Sequence, residues 1–198
     1  MASIEPWGGL LPASEAVIEL KSWSFPQTGA TGRAEMHRTI TIRMASRKDA
    51  SGILEAHYSA VHETAAKDYS AEICGEWSAP VTPERIRRYL EESFPSETAV
   101  VAEVGGVIAG FGAIVERGNE LRAVYVAARF AGRGIGSALL KELERLAKER
   151  GCTELHMDSS VTAAAFYQRN GYQVLEHAEH SLKSGHRMAC VRMRKSIG

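Results

Sequence analysis

Apolar and polar positions alternate with period two from Ile40 to Met44 (Ile-Thr-Ile-Arg-Met), the mark of a half-buried strand. The period then lengthens: Ile53, Leu54, His57 and Val61 recur at helical spacing behind Asp49, which predicts a helix capped by that aspartate. A less regular stretch holding Tyr69 and Trp77 follows. Thr82-Pro83-Glu84 opens a short helix, with threonine as N-cap and proline at the first helical position, and Arg85 to Glu92 completes it. Two β-rich runs, Thr98 to Val104 and Val107 to Val115, flank Gly105-Gly106, which supplies the positive φ of a tight hairpin. Gly118-Asn119 turns the chain into a further run, Glu120 to Val126. Beyond a glycine-rich turn, Ile135, Leu139, Leu143, Leu146 and Ala147 share one helical face, Lys141, Glu142, Glu144, Arg145 and Lys148 the other, and Gly151 stands where a C-terminal glycine belongs. A short strand from Leu155 to Asp158, a helix near Ala163 and a hairpin of Tyr172 to Glu176 with Met188 to Arg194 complete the order. The class is α/β (α+β), with amphipathic helices covering a sheet.

Residues 1–38 mix Pro6, Pro12 and Pro26 with Gly8, Gly9, Gly29 and Gly32, and show little periodicity apart from a short helix expected around Ser14 to Leu20. That composition predicts a loosely structured extension, unless Trp7, Trp23 or Phe25 packs on the domain formed by residues 39–198. The 198 residues suit one domain with a real core. Lys and Arg number 24, as do Asp and Glu, so no global field draws nucleic acid or an anionic membrane. Cys74, Cys152 and Cys190 are odd in number and widely spaced, which predicts free thiols in a reducing, cytoplasmic compartment. The start Met-Ala-Ser-Ile-Glu-Pro-Trp lacks the basic and apolar blocks of a secretory signal, and no stretch reaches membrane-spanning length.

Candidate chemistry concentrates between Val124 and Ser137, where Val-Tyr-Val-Ala-Ala-Arg-Phe-Ala-Gly-Arg-Gly-Ile-Gly-Ser runs from a strand through a glycine-rich turn into a helix. A helix N-terminus presents unpaired N–H groups and a positive dipole end, glycines admit close backbone approach, and Arg129 and Arg133 add charge, so the segment predicts an anion cradle. It is neither a dinucleotide fingerprint, since the sixth position from Gly132 is Ser137 and from Gly134 is Leu139, nor a Gly-Lys-Ser/Thr nucleotide loop.

The pattern Arg129-x-x-Gly132-x-Gly134 resembles the acetyl-CoA pyrophosphate loop of the GNAT superfamily, the Gcn5-related N-acetyltransferases. Phe166-Tyr167-x-x-x-Gly171-Tyr172, at matching distance, looks like the second signature of that superfamily, and the similarity in element order spans about Thr39 to Lys195. The resemblance implies a mixed sheet of about six to seven strands with about four helices, splayed parallel strands at the cofactor site, and acetyl-CoA as co-substrate without a metal. It implies that the pantetheine arm pairs with Val124 and Val126 and that a backbone N–H near Val124 or Tyr125 meets the oxyanion. Arg129, Ala131, Gly132, Arg133, Gly134, Ile135, Gly136 and Ser137 would then hold the pyrophosphate, with Tyr167 as general acid for the departing thiolate. Ser160 stands where many relatives have asparagine. The activity implied is acetyl transfer to a primary amine by direct attack; a sensor that binds acyl-CoA without turnover, or transfer of a longer acyl group, would share the fold.

A base for the amine is less defined: Glu120 at the start of the motif strand, or His57, His62 and Glu63 on the first helix. Tyr58, His62, Tyr69 and Trp77 fall in the region that forms the acceptor wall in similar proteins. His177, His180 and His186 surround a hairpin loop without an acidic or cysteine cluster, which argues against a metal. The partner expected is a small-molecule or peptide amine, not nucleic acid or membrane, with a homodimer left open.

Overall fold

The computed structural model describes Ala16–Ile18 and residues 39–198. Its strands are β1 (Ala16–Ile18), β2 (Ile40–Met44), β3 (Thr98–Val104), β4 (Val107–Val115), β5 (Glu120–Val126), β6 (Glu154–Ser160), β7 (Gln173–Ser181) and β8 (Arg187–Ser196), in the sheet order β1-β2-β3-β4-β5-β6-β8-β7. Neighbours run antiparallel except β5 and β6, which are parallel. The helices are α1 (Ala50–Ser59), α2 (Ala71–Trp77), α3 (Pro83–Arg88), α4 (Ile135–Glu149) and α5 (Ala164–Arg169). Seven strands and four helices match the expectation; β1 and α2 are the additions. α2 lies in the irregular stretch, where Ser70 Oγ caps it by accepting the Ile73 N–H.

The Gly105-Gly106 hairpin and the Thr82 cap form as the sequence predicts, with φ of 58° and 79° at the two glycines and the Arg85 N–H donating to Thr82 Oγ1 at 3.2 Å. Two expectations are corrected. Within the stretch expected to be helical, the described residues Ala16–Ile18 form a strand: Ala16 pairs with Ile42 and Ile18 with Ile40. An isolated helix of that length is marginal in water, whereas β-branched residues beside the edge of β2 gain ladder hydrogen bonds. The rest of residues 1–38, with Trp7, Trp23 and Phe25, lies outside the described residues.

Asp49 precedes α1, but its carboxylate does not cap it. It accepts the Ser46 N–H at 2.7 Å, the Ser46 hydroxyl at 2.8 Å and two Arg43 N–H groups at 2.8 Å, while Arg43 also donates to Glu103 at 2.9 and 3.1 Å. The Arg43 hydrogen bonds, above all, hold the Asp49 carboxyl at about 2, below the usual range. A depressed folded pKa contributes stability that is full above the unfolded value and vanishes as pH falls through the folded one. We therefore expect roughly 2 kcal/mol of stability to disappear between about pH 4 and pH 2, a loss that Asp49→Asn should remove from urea titrations repeated across that range.

Phe111 of β4 meets His57 of α1, while its neighbour Gly112 faces Leu143 of α4, so the two helices cover opposite faces of the sheet. A Cβ at Gly112 would sit 2.5 Å from Leu143 Cδ1, so only glycine lets α4 lie this close. The helix buries Ile135, Leu139, Leu140, Leu143, Leu146 and Ala147, the face read from its period.

Candidate active site

β5 and β6 share a single register pair, Glu120 with His156, where the His156 N–H donates to Asn119 O at 2.9 Å. Beyond that rung the strands diverge. On the other side of β5 the Ala127 N–H bonds to Ala109 O at 2.9 Å, so alternation directs the N–H and C=O groups of Val124 and Val126 into the opening and those of Tyr125 toward β4. A backbone donor in the fork therefore comes from Val124 or Val126. The opening continues into a cavity of about 1290 Å³ lined by Val124, Val126, Gly134, Ser137, Ser160 and Tyr167 among others. That exceeds the roughly 300–1,000 Å³ of a drug-sized site and suits a long ligand.

At one end of this cavity lies the N-terminus of α4. Gly134 is its N-cap at φ 79°, and Gly132 has φ 73°; an added Cβ at Gly132 would meet no protein atom within 4 Å. The first bond closing the helix runs from the Ala138 N–H to Gly134 O at 3.0 Å, which leaves the N–H groups of Ile135, Gly136 and Ser137 without intrahelical acceptors. The ring of Phe130 organises the charges beside them, with Arg129 4.9 Å and Arg133 5.9 Å from its centroid. Backbone donors and the helix dipole thus converge as a phosphate requires, with the two arginines packed on Phe130 outside the cavity lining. Ala131 lines the same wall.

Tyr167, on α5, is 3 % exposed and packs edge-on against Phe166 and Tyr172 at 4.9 and 5.6 Å. It lines the cavity, and its hydroxyl makes no hydrogen bond among the described residues. Burial, reinforced by nearby Tyr125, pushes its pKa well above the ordinary phenol value, so it remains a neutral O–H donor. Ser160, in the asparagine position, uses its hydroxyl to accept the Ala163 N–H at 3.3 Å just before α5.

A second cavity, of about 320 Å³, opens on the α1 face. Trp77, Arg122, Ala123 and Tyr125 line both, so they form the wall between the two spaces. The Tyr125 ring stacks on Phe111 at 5.5 Å and stands edge-on to His57 at 4.4 Å; burial pushes its phenol up to about 12, partly offset by a hydrogen bond with Trp77. Burial first, and then the charge of Arg85, drive His57 down to about 3. It is neutral, and its Nδ1 faces Ser78 Oγ at 2.9 Å and Arg85 Nη2 at 3.2 Å, so it accepts a hydrogen bond and is a poor base.

The other residues singled out from sequence are dispersed. Glu120 lines the larger cavity at the closed end of the fork, held by Arg122 at 2.7 Å and roughly 13 Å along the strand from Val124 at ~3.3 Å per residue. Tyr69 donates its hydroxyl to Ala189 O and accepts the Val161 N–H, both at 2.8 Å, which ties the segment before α2 to β8 and to the turn after β6. Tyr58 stacks on His62 at 4.1 Å, and His62 Nε2 lies 2.8 Å from Ser78 O; neither they nor Glu63 line either of these two cavities. Of the four aromatic residues proposed for the acceptor wall, Trp77 occupies it. Arg85, Tyr89, Glu97 and Arg122 also line the smaller cavity and escaped notice. The only signal was Arg85 and Tyr89 one helical turn apart, in a run of arginines that reads as a solvated face. Glu97, 3.3 Å from Arg122, has its carboxyl pushed up by burial against the opposing effect of that arginine. Among the described residues there is no cluster of three or more His, Cys, Asp or Glu suited to a metal, and no helix long and apolar enough to cross a membrane.

Residues 65–197 match the family model described as an acetyltransferase (GNAT) domain, and the chain belongs to that family. A crystal structure of a GCN5-related N-acetyltransferase from Rhodopseudomonas palustris is 27 % identical, covers 78 % of this chain and 94 % of its own, and superposes with a TM-score of 0.69. A putative acetyltransferase from Salmonella typhimurium, YncA, solved with its cofactor acetyl-CoA, is 22 % identical over 80 % of this chain and 94 % of its own, with a TM-score of 0.59. Among curated proteins, the uncharacterized YdhI of Bacillus subtilis (strain 168) is 32 % identical over 78 residues, 38 % of this chain. The match spans about half of that relative, 48 % of its length.

Proposed function

We propose that the protein is an acetyl-CoA-dependent N-acetyltransferase that acetylates a primary amine by direct attack. The observation that carries this reading is the fork between β5 and β6, which opens at the N-terminus of α4 and holds a buried phenol with an uncommitted hydroxyl. The wall residues fit acetyl-CoA: Val124 and Val126 offer strand-like pairing to the amides of a pantetheine arm, and the α4 N-terminus offers an anion site to the pyrophosphate, with Arg129 and Arg133 near it beside Phe130. Bound acetyl-CoA supplies an activated acetyl thioester; a C–N bond to the amine forms as the C–S bond breaks.

The chain's part is positional and electrostatic. A fork-facing N–H of Val124 or Val126 donates to the developing oxyanion. Tyr167 O–H donates to the departing sulfur, and because burial disfavours phenolate and thiolate alike, a hydrogen bond retains its value even where transfer is incomplete. The amine must arrive neutral. Glu97, whose raised carboxyl lines the smaller cavity beside Arg122, accepts its proton through water. The three cysteines are buried free thiols, in keeping with a cytoplasmic setting.

An acceptor screen with purified protein and acetyl-CoA, reading released CoA thiol, tests this reading. Amine-dependent thiol release together with a mass gain of one acetyl group on the acceptor is expected. Tight acetyl-CoA binding with no release across a broad amine panel would instead indicate a sensor.

A further inference from the structure

We propose that the smaller cavity is the acceptor subsite and that it takes an amine carrying a carboxylate, held by Arg85 and Tyr89. The proposal rests on the acetyltransferase reading for the amine and on the cavity itself for the carboxylate. Two polar side-chain atoms in its wall are buried without a hydrogen-bond partner among the described residues, Arg85 Nη1 and Tyr89 Oη. Buried polar groups of this kind are rare, and here both belong to side chains that line one space. Both are donors. Arg85 and Tyr89 lie one helical turn apart at the junction of α3 with the π-helical turn Tyr89–Ser93, so they share a face.

Charge points the same way. Arg85 makes no salt bridge among the described residues; its Nη2 meets only neutral partners, His57 Nδ1 at 3.2 Å and Ser78 Oγ at 3.3 Å. Burial and the nearby charge of Arg88 both work against its cation, and nothing in the wall offsets that. Among the charged lining residues Arg85, Arg88 and Arg122 outnumber Glu92 and Glu97 by one, and Arg122 is shared between Glu97 and Glu120, which leaves Arg85 as the arginine deepest in the wall without a carboxylate. A ligand with one negative charge and two acceptor oxygens meets both orphaned donors and balances that excess; a carboxylate has this form. The volume of about 320 Å³ limits it to a small molecule, and the wall of Trp77 and Tyr125 shared with the larger cavity sets its amine beside the fork.

Matched pairs test the idea: common α-amino acids, β-alanine and γ-aminobutyrate, each against its own carboxamide and decarboxylated amine. Each is titrated calorimetrically into the protein with CoA present, and the same pairs are assayed with acetyl-CoA. At least one amino acid should bind about tenfold or more tighter than its carboxamide, and Arg85→Gln should shrink that ratio to about threefold or less, with CoA affinity maintained. Tyr89→Phe keeps the ring and should reduce the same ratio about threefold or more, which decides the matter should Arg85→Gln fail to melt cooperatively. Carboxamides or decarboxylated amines binding as well as their parents throughout, or a preference that survives both substitutions, overturns the proposal. A carboxylate preference in binding without thiol release upholds the subsite and defeats acetyl transfer, whereas release with no preference does the reverse.

Discussion

Replacing Tyr167 by phenylalanine is expected to slow turnover about a hundredfold while leaving acetyl-CoA affinity unchanged within about twofold. The substitution removes one oxygen from a side chain that is 3 % exposed and retains its edge-on contacts with Phe166 and Tyr172. Since the hydroxyl bonds to nothing among the described residues, deleting it breaks no internal hydrogen bond and leaves no partner orphaned. Any large effect must then come from the reaction itself, and a loss confined to kcat points to an interaction made only in the transition state. Turnover within about threefold of the parent across pH, on an amine found by the screen, would make Tyr167 a packing residue.

The second large effect is expected at Gly134. At φ 79° it sits where a β-branched residue is a severe outlier, so Gly134→Val must either strain the turn or rotate it, and rotation turns the first N–H groups of α4 away from the phosphate. Acetyl-CoA affinity should fall at least tenfold, about 1.4 kcal/mol. Gly151, at the other end of the same helix, provides the control: its φ is 84° and a Cβ there meets nothing within 4 Å. Gly151→Val imposes comparable backbone strain far from the cradle and should leave affinity unaltered. Calorimetry on both variants, each with a cooperative melt, separates loss of the cradle from general loosening; equal affinities would show that the pyrophosphate lies elsewhere.

The contrast between α4 and α2 shows which parts of the fold could be read in advance. α4 carries four turns of unbroken period and a glycine stop, so its limits and its buried face follow from sequence. α2 has seven residues, too few to set a period, and owes its helicity to Ser70 and to burial of Cys74 in a small cluster with Val61, Tyr69 and Met188. The cofactor side of the site was legible for a related reason: a cradle is built from backbone, so glycines and a helix start announce it within one short segment. The acceptor side we propose is assembled from side chains on α1, α2, α3, β4 and β5, brought together only by the fold. Trp77 could be named because aromatics are conspicuous, but Arg85 among neighbouring arginines, or Glu97 before a strand, looks like surface until the sheet closes around it.

The single rung between Glu120 and His156 has a mechanical consequence. β1 to β5 and β6 to β8 are two half-sheets with almost no direct backbone linkage, joined along most of their border by α4, α5 and whatever fills the gap. A molecule lying there replaces the ladder that the protein omits, so its binding free energy also works against separation of the halves, and the stability of the whole chain rises with ligand concentration. Supply of the acetyl donor would thereby govern how long the protein survives in the cell as well as how fast it works.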